Sequence, residues 1–152
     1  MGAYYYPWHG DDFSRDEGYL RENINQLPVL GEYNEGDPSV IVQHVVWSQQ
    51  ANIQVWVTSW WGPHSREDMS LLEDILTQPA VVDNIKITLH YEMTERLYRD
   101  ETVRFARIAA DIRYICENYF NRSNYFQIDE MPVLVVTLTH KLEREGVLVQ
   151  II

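Results

Sequence analysis

Residues 37–63, DPSVIVQHVVWSQQANIQVWVTSWWGP, contain a complete passage from helix to strand, and they decide the fold class. Asp37 can cap free helix amides and Pro38 fits the first helical position. Apolar residues then recur at helical spacing, so a helix is predicted over Ser39–Ala51. The run Ile53–Ser59 is β-branched and aromatic and is too short for a helix. It predicts a buried strand, which ends at the Trp-Trp-Gly-Pro loop of residues 60–63.

The same alternation of strand and helix extends along the rest of the chain. The pattern predicts further strands at Gly2–Tyr6, Ile85–His90 and Met131–Leu138, and helices from Ser65 to about Gln78 and from Glu101 to about Tyr119. Residues 139–152 are ambiguous, since 141–146 resemble a helix and 147–152 fit either a helix or a strand. Alternation of this kind implies parallel strands joined by right-handed crossovers.

We therefore predict an α/β fold: a partial (β/α)8 TIM barrel of about four β/α units with parallel strands, which occupies residues 1–152 as a single domain. The alternative is a small α/β sandwich of the flavodoxin type. The long polar stretch after the first strand and the lack of a phosphate-binding loop there both disfavour this alternative.

Composition excludes several classes of function. The 152 residues carry 12 Lys and Arg against 23 Asp and Glu, and a net charge of −11 disfavours binding to a nucleic-acid backbone. No apolar run approaches the roughly 18 residues of a membrane span. The single cysteine excludes an internal disulfide and a cysteine-cluster zinc site.

Cofactor and targeting motifs are also missing from the sequence. No H-x-x-x-H, H-E-x-x-H, P-loop or G-x-G-x-x-G pattern occurs, so we expect neither a metal nor a nucleotide cofactor. The first residues lack the basic and apolar regions of a signal peptide, which makes the cytosol the default compartment.

Aromatic and polar residues gather where the predicted strands end, the edge at which parallel α/β folds bind ligands. Eight candidate ligand-binding residues lie there: Tyr5, Tyr6, Trp8 and His9 after the first strand, Trp60 and Trp61 after the second, and His90 and Glu92 after the third. Rings stack on the C–H faces of a sugar, and polar groups bind its hydroxyls. The competing interpretation is that such rings close a barrel core. For Glu92 we favour a functional role, because an unpaired carboxylate directly after an apolar strand is costly to bury.

Several segments together resemble glycoside hydrolase family 99, the endo-α-mannosidase and endo-α-mannanase family. The resemblance rests on GAYYYPWHG at residues 2–10, LGEYNEGDPSVIVQHV at 30–45, VWVTSWWGP at 55–63 and KITLHYE at 86–92. It implies a (β/α)8 barrel that cleaves α-mannosyl chains with retention of configuration and without a metal in the chemical step. By position, it implies that Tyr5, Tyr6, Trp8, Tyr33, Trp60, His90 and Glu92 line sugar subsites, with Trp60 stacked on a ring.

The sequence departs from this family in one respect. The family's paired catalytic carboxylates lie in a downstream W-N-E-W-like motif that is absent here, whereas a glycosidase needs two carboxyl groups about one bond. The chain is thus expected to bind an α-mannosyl oligosaccharide or polysaccharide and to be inactive alone, with no catalytic residues of its own. Two alternatives remain: a non-catalytic sugar-binding module, and a half-barrel that assembles into a homo-oligomer through exposed sheet edges.

Overall fold

A computed structural model describes residues 1–9, 26–98 and 103–146. In chain order the elements are β1 (Gly2–Tyr5), α1 (Pro38–Gln50), β2 (Val55–Trp60), α2 (Arg66–Met69), α3 (Pro79–Asn84), β3 (Lys86–Tyr91), α4 (Thr94–Tyr98), α5 (Arg104–Ile115), β4 (Gln127–Ile128), β5 (Met131–Pro132), β6 (Leu134–Val136) and α6 (Thr139–Arg144). Among these described residues, no helix has the length and apolar character needed to cross a membrane. The helix predicted to begin at residue 101 starts outside the described residues, and its described part is α5.

The main sheet has four parallel strands in the order β1-β2-β3-β6. Each strand therefore lies beside the strand that follows it in this series, which is the neighbour relation of a (β/α) barrel. A flavodoxin-type sheet would instead place its first strand between the second and third. The strand order excludes the flavodoxin-like alternative.

Helix α1 begins where the sequence predicts. The Asp37 side chain accepts a hydrogen bond from the Ser39 backbone N–H at 2.7 Å, and Pro38 occupies the first turn. The Ser39 hydroxyl also donates to this carboxylate at 2.7 Å, and the hydroxyl bond followed by the backbone bond lowers the pKa of Asp37. Ile41 and Val45 point into the core, so the helix covers β1 and β2 with its apolar side.

The predicted helix after Ser65 is present but is not a regular α-helix. Ser65 caps it: its hydroxyl accepts from the Asp68 N–H, and α2 follows. The chain then widens into a π-type turn over Ser70–Asp74 and tightens into a 3-10 turn over Ile75–Thr77. Gln78 is extended, as the residue before a proline must usually be, and Pro79 starts a separate helix, α3, that the sequence analysis did not predict.

The strand predicted over Met131–Leu138 is wrong at both ends. Met131 and Pro132 pair instead with β4 in a small antiparallel hairpin, whose turn residues Asp129 and Glu130 both have positive φ. Because the hairpin takes up Met131 and Pro132, the strand of the main sheet starts only at Leu134. Leu138, in the left-handed region, separates this strand from α6.

Side chains alternate between the two faces of the sheet. The outer face packs against the helices and forms a single hydrophobic core, which includes Trp56, Trp60, Ile87, Leu89 and Tyr91. The opposite face, which we call the inner face, carries Tyr4, Val57, Ser59 and His90, with Glu92 following on the same side. The rings of Tyr4 and His90 meet across it at 5.1 Å between centroids.

Candidate functional site

Three aromatic rings follow one another along the inner face of β1 and the residues after it. Tyr4 and Tyr6 stack at 6.0 Å with 15° between their planes, and Tyr6 lies 4.6 Å from Trp8. Tyr4 is 56% exposed and Tyr6 is 43% exposed, although both side chains are large and aromatic. These rings form an open apolar strip that leads to the carboxyl end of the strand.

Ser59 connects the two tryptophans of the inner face to the carboxylate. Its hydroxyl oxygen accepts from the indole N–H of Trp61 at 3.1 Å and from that of Trp8 at 3.4 Å. The same hydroxyl donates to Glu92 Oε1 at 3.4 Å. Ser59 is wholly buried, so its hydroxyl relies on these three neighbours rather than on water. Ser59 was not among the predicted site residues, although strand alternation places it on the same face as Trp61.

Glu92 directly follows β3, and its backbone N–H donates to the Trp60 carbonyl at 2.9 Å. His90 Nδ1 lies 3.2 Å from Glu92 Oε1, and the two side chains are only 11% and 13% exposed. Burial and then the charge of Glu92 raise the pKa of Tyr6, so this phenol stays protonated and able to donate. The structure therefore brings together five of the predicted residues in what we call the rim cluster: Tyr6, Trp8, Trp61, His90 and Glu92.

A small cavity opens beside the two indoles of the rim cluster. It has a volume of about 260 Å³ and is lined by Trp8, Trp61, Arg66 and Glu67. Arg66 also reaches back to Glu35, with Nη2 3.3 Å from Oε1. The cavity thus combines two aromatic walls with a cation and a carboxylate.

Trp60 does not belong to this cluster, and the prediction that its ring stacks on a sugar is wrong. Trp60 is 0% exposed, because strand alternation turns it to the outer face. Its indole donates to Asp68 Oδ1 at 2.7 Å. The hydroxyls of Tyr114 and Tyr119 also donate to the Asp68 carboxylate, and burial, followed by these bonds, raises the pKa of both phenols.

Asp68 also fixes the loop that carries Trp61. Its Oδ2 accepts the backbone N–H of His64 at 2.8 Å, and His64 has a positive φ of 60°. Gly62 in the same loop has φ 133°, and a Cβ there would lie 2.4 Å from Arg96 Nη2. Arg96 is itself paired with Asp111 at 2.6 Å. Asp68 therefore holds this loop directly, and Arg96, paired with Asp111, lies against Gly62. Neither contact was predicted from the sequence.

Tyr5, His9 and Tyr33 lie apart from the rim cluster, around His44. Tyr5 stacks on Trp56 at 4.2 Å with 4° between planes, and its hydroxyl lies 3.1 Å from His44 Nδ1. Tyr33 contacts His44 and His9 at centroid distances of 5.4 and 5.5 Å. Burial lowers the pKa of His44 and raises that of Tyr5. Tyr5 therefore points to the helix side, so the expectation that it lines the same subsites as Trp8 and Glu92 is not met.

Within residues 1–9, 26–98 and 103–146, no group of three or more His, Cys, Asp or Glu side chains is arranged to hold a metal ion. The chemistry that the rim cluster offers is that of hydrogen bonding and ring stacking. Indole and phenol rings lie beside a carboxylate, an imidazole and a hydroxyl, at the carboxyl ends of parallel strands. Fold and site together define a partial (β/α) barrel with an aromatic and acidic rim.

The sequence matches the profile of glycosyl hydrolase family 99 over residues 3–146, so the chain belongs to this family. It is 33% identical to the glycoprotein endo-α-1,2-mannosidase of Mus musculus over 105 residues, 66% of this chain and 21% of that protein. The protein of the same name from Rattus norvegicus is 30% identical over 105 residues, which are again 66% of this chain and 21% of that protein. The recognition made from the sequence motifs is confirmed.

Solved structures show the same fold. The family 99 endo-α-mannosidase from Bacteroides thetaiotaomicron superposes with a TM-score of 0.70 at 23% identity, over 91% of this chain and 42% of that one. A second structure of that enzyme gives a TM-score of 0.64 at 21% identity. The partial TIM barrel predicted from the sequence is thereby confirmed. The chain spans about a fifth of the length of the rodent relatives it matches and under half of the bacterial enzyme.

Proposed function

We propose that the inner face of this chain binds an α-mannosyl oligosaccharide or polysaccharide, with the rim cluster as the binding site. The observation that carries the proposal is the Ser59 hydroxyl, which ties two indoles and the Glu92 carboxylate into one hydrogen-bonded unit. A sugar ring presents apolar C–H faces and polar hydroxyls together. The rim cluster places indole rings beside a carboxylate and a hydroxyl, so it offers surfaces that match both parts of a sugar.

The roles of the side chains follow from their chemistry. Trp61 and Trp8 are half-buried, with their N–H groups already bonded to Ser59, so their ring faces are what they offer to a ligand. Glu92 has a second oxygen to accept hydrogen bonds from sugar hydroxyls. Tyr6 keeps its proton and supplies a donor. The mannosyl class of the ligand rests on the family and on relatives described as endo-α-mannosidases.

The proposed role in catalysis is to hold substrate, not to cleave it. Hydrolysis of a glycosidic bond needs an acid and a second carboxylate roughly 5–9.5 Å apart across that bond. In the rim cluster, Glu92 is the one carboxylate, and its hydrogen bond from Ser59 and contact with His90 suit it to binding hydroxyls. We therefore expect the 152-residue chain to bind an α-manno-oligosaccharide without turning it over.

Calorimetric titration of the chain with an α-manno-oligosaccharide tests this proposal. Glu92→Gln keeps the side-chain shape and removes the charge, and should weaken binding by about tenfold to a hundredfold, as for the loss of one charged hydrogen bond. Trp47→Ala is the matched control, because Trp47 is 37% exposed on α1 and lies outside the rim cluster. Absence of saturable heat at millimolar sugar, or equal affinities for Glu92→Gln and wild type, would contradict the proposal.

By itself, the 152-residue chain is thus proposed to act as a non-catalytic binding module through the rim cluster. An assay for the release of reducing ends from the saccharide, run on the same protein, tests whether Glu92 only binds the ligand or also takes part in its cleavage. Turnover at an enzymatic rate that Glu92→Gln abolishes would show that Glu92 takes part in the chemistry, and our assignment of a binding role would then be wrong.

A further inference from the structure

The two oxygens of the buried Asp68 carboxylate face different parts of the molecule. Oδ1 accepts the indole N–H of Trp60 and the hydroxyl of Tyr119, and both of these side chains are 0% exposed. Oδ2 accepts the backbone N–H of His64 at 2.8 Å. One oxygen therefore belongs to the core, and the other belongs to the loop that follows β2.

The loop of residues 61–64, which we call the β2 loop, ends in a tight turn. The Ser65 N–H donates to the Gly62 carbonyl at 3.2 Å, so Pro63 and His64 are the central residues of this turn. His64 has φ 60°, at a position where turns with positive φ usually have glycine or asparagine. A residue with a side chain is disfavoured in the left-handed region by about fivefold to thirtyfold. The turn therefore needs a further contact that holds His64.

The Asp68 carboxylate supplies this contact. In a capping box, the acidic residue three positions after the cap reaches back to the N–H of the capping residue itself. Here Ser65 is the cap, and its own N–H is bonded to the Gly62 carbonyl. Asp68 bonds instead to the N–H of His64, one residue earlier. Tyr114 of α5 donates to the same Oδ2 at 2.7 Å, and its ring meets that of His64 at 5.8 Å.

Trp61 depends on this turn for its place in the rim cluster. It directly precedes Gly62, and its indole N–H reaches Ser59 on the inner face at 3.1 Å. Its ring lines the 260 Å³ cavity together with that of Trp8. A change of φ at His64 would alter the path of the β2 loop and the position of the ring, because β2 and α2 fix the two ends of this short segment.

We propose that Asp68 is a positioning residue for the saccharide site, which sets the place of the Trp61 ring by holding the backbone N–H of His64. The inference rests on the proposed sugar-binding function of the rim cluster. Asp68 is 0% exposed, so it acts through the loop and does not touch the ligand. A site that is competent in only a fraction of the molecules binds more weakly by that fraction. Loss of the bond to His64 should therefore weaken binding by about fivefold to thirtyfold.

Asp68→Asn breaks the bond to the loop and keeps the bond to the core. A side-chain amide accepts on one side only, and the fully buried Trp60 N–H needs an acceptor more than the N–H of the exposed His64 does. Calorimetric titration with an α-manno-oligosaccharide should give a Kd about fivefold to thirtyfold above that of the wild type. The matched control is Trp60→Phe, which removes a donor from Oδ1 only and should bind like the wild type.

Addition of His64→Gly to Asp68→Asn distinguishes positioning from a merely structural role. Glycine adopts positive φ about as readily as negative φ, so the turn forms in roughly half of the molecules without the Asp68 bond. The double variant should therefore bind within about threefold of the wild type. A merely structural loss in Asp68→Asn would leave the affinity of the folded protein unchanged, or would not respond to His64→Gly.

Hydrogen exchange in the sugar-free protein separates this inference from the proposed function. The Trp61 indole proton, which is bonded to Ser59, should exchange at least about fivefold faster in Asp68→Asn than in the wild type. It should exchange at the wild-type rate in Trp60→Phe. If the wild type shows no sugar binding but these exchange rates are observed, the proposed function is wrong and the positioning role of Asp68 stands.

The His64 amide of the wild type gives a further test, which also applies if Asp68→Asn does not fold. This amide should be protected from exchange although His64 is exposed, because it donates to a buried carboxylate. An unprotected His64 amide would overturn the inference. So would wild-type affinity or wild-type Trp61 exchange in folded Asp68→Asn, failure of His64→Gly to restore binding, or equal weakening of binding by Trp60→Phe.

Discussion

The adjacent residues Trp60 and Trp61 should respond in opposite ways to the same substitution, phenylalanine. Trp60→Phe removes the indole N–H that bonds Asp68 at 2.7 Å in a fully buried site. A hydrogen bond to a charged group contributes about 1.5–3 kcal/mol, and the smaller ring leaves roughly 1–2 kcal/mol of lost burial. Asp68 keeps its bonds from Tyr114, Tyr119 and His64, so the lower half of the hydrogen-bond range applies.

We therefore expect Trp60→Phe to lower the free energy of unfolding by about 2–4 kcal/mol. That is a large part of the total stability of a typical domain, about 5–15 kcal/mol. Trp61 is half-buried and opens onto a cavity, so Trp61→Phe should cost less than about 1 kcal/mol, in the usual range for exposed sites.

Urea unfolding followed by far-ultraviolet circular dichroism measures both values without relying on tryptophan emission. The order should reverse in sugar titrations, where Trp61→Phe weakens binding and the folded Trp60→Phe protein binds like the wild type. Greater destabilisation by Trp61→Phe than by Trp60→Phe would refute the assignment of Trp60 to the core.

Three further predictions follow from the same contacts. Asp68→Ala leaves the buried donors of Trp60 and Tyr119 without an acceptor, and thermal or urea unfolding should show a loss of about 2–6 kcal/mol, from about 1–3 kcal/mol for each; a loss below about 1 kcal/mol would contradict this. Ser59→Ala should weaken sugar binding and lower the free energy of unfolding by about 1–3 kcal/mol, because the indoles of Trp8 and Trp61 lose their acceptor. Unchanged affinity would show that the Ser59 hydroxyl does not organise the rim cluster. Burial lowers the folded-state pKa of His44 below its ordinary value of 6.5. The unfolded chain therefore takes up this proton first as the pH falls, and the free energy of unfolding should decrease below pH 6.5. An NMR titration that gives His44 a pKa above 6.5 would contradict this.

The regular part of the fold could be predicted from sequence because its signals are local. The Asp-Pro cap and the β-branched run after it predicted the bounds of α1 to within one residue and those of β2 to within two. The split of residues 131–138 into a hairpin and a short strand could not be predicted in the same way. Pairing of Met131 with Ile128 depends on a turn at Asp129 and Glu130, whose polar side chains do not require positive φ.

The candidate site was predicted by residue type but not by direction. Aromatic residues cluster at the strand ends, yet successive residues of a strand point to opposite faces. Consequently Tyr6 and Trp61 reach the rim cluster, while their neighbours Tyr5 and Trp60 enter the helix-facing layer. A strict period of two applied to β1 and β2 would have separated the two sets. The contacts of Asp68 with Tyr114 and Tyr119 could not have been found this way, because they join residues 46 and 51 positions apart.

The indole N–H resonances in a two-dimensional ¹H–¹⁵N NMR spectrum test the central claim most directly, because each tryptophan gives one signal. On addition of an α-manno-oligosaccharide, the signals of Trp8 and Trp61 should shift in a saturable manner. The buried Trp56 and Trp60 signals should stay in place. Saturable shifts confined to Trp47 and Trp56, or no shift at any indole, would contradict a saccharide site on the inner face.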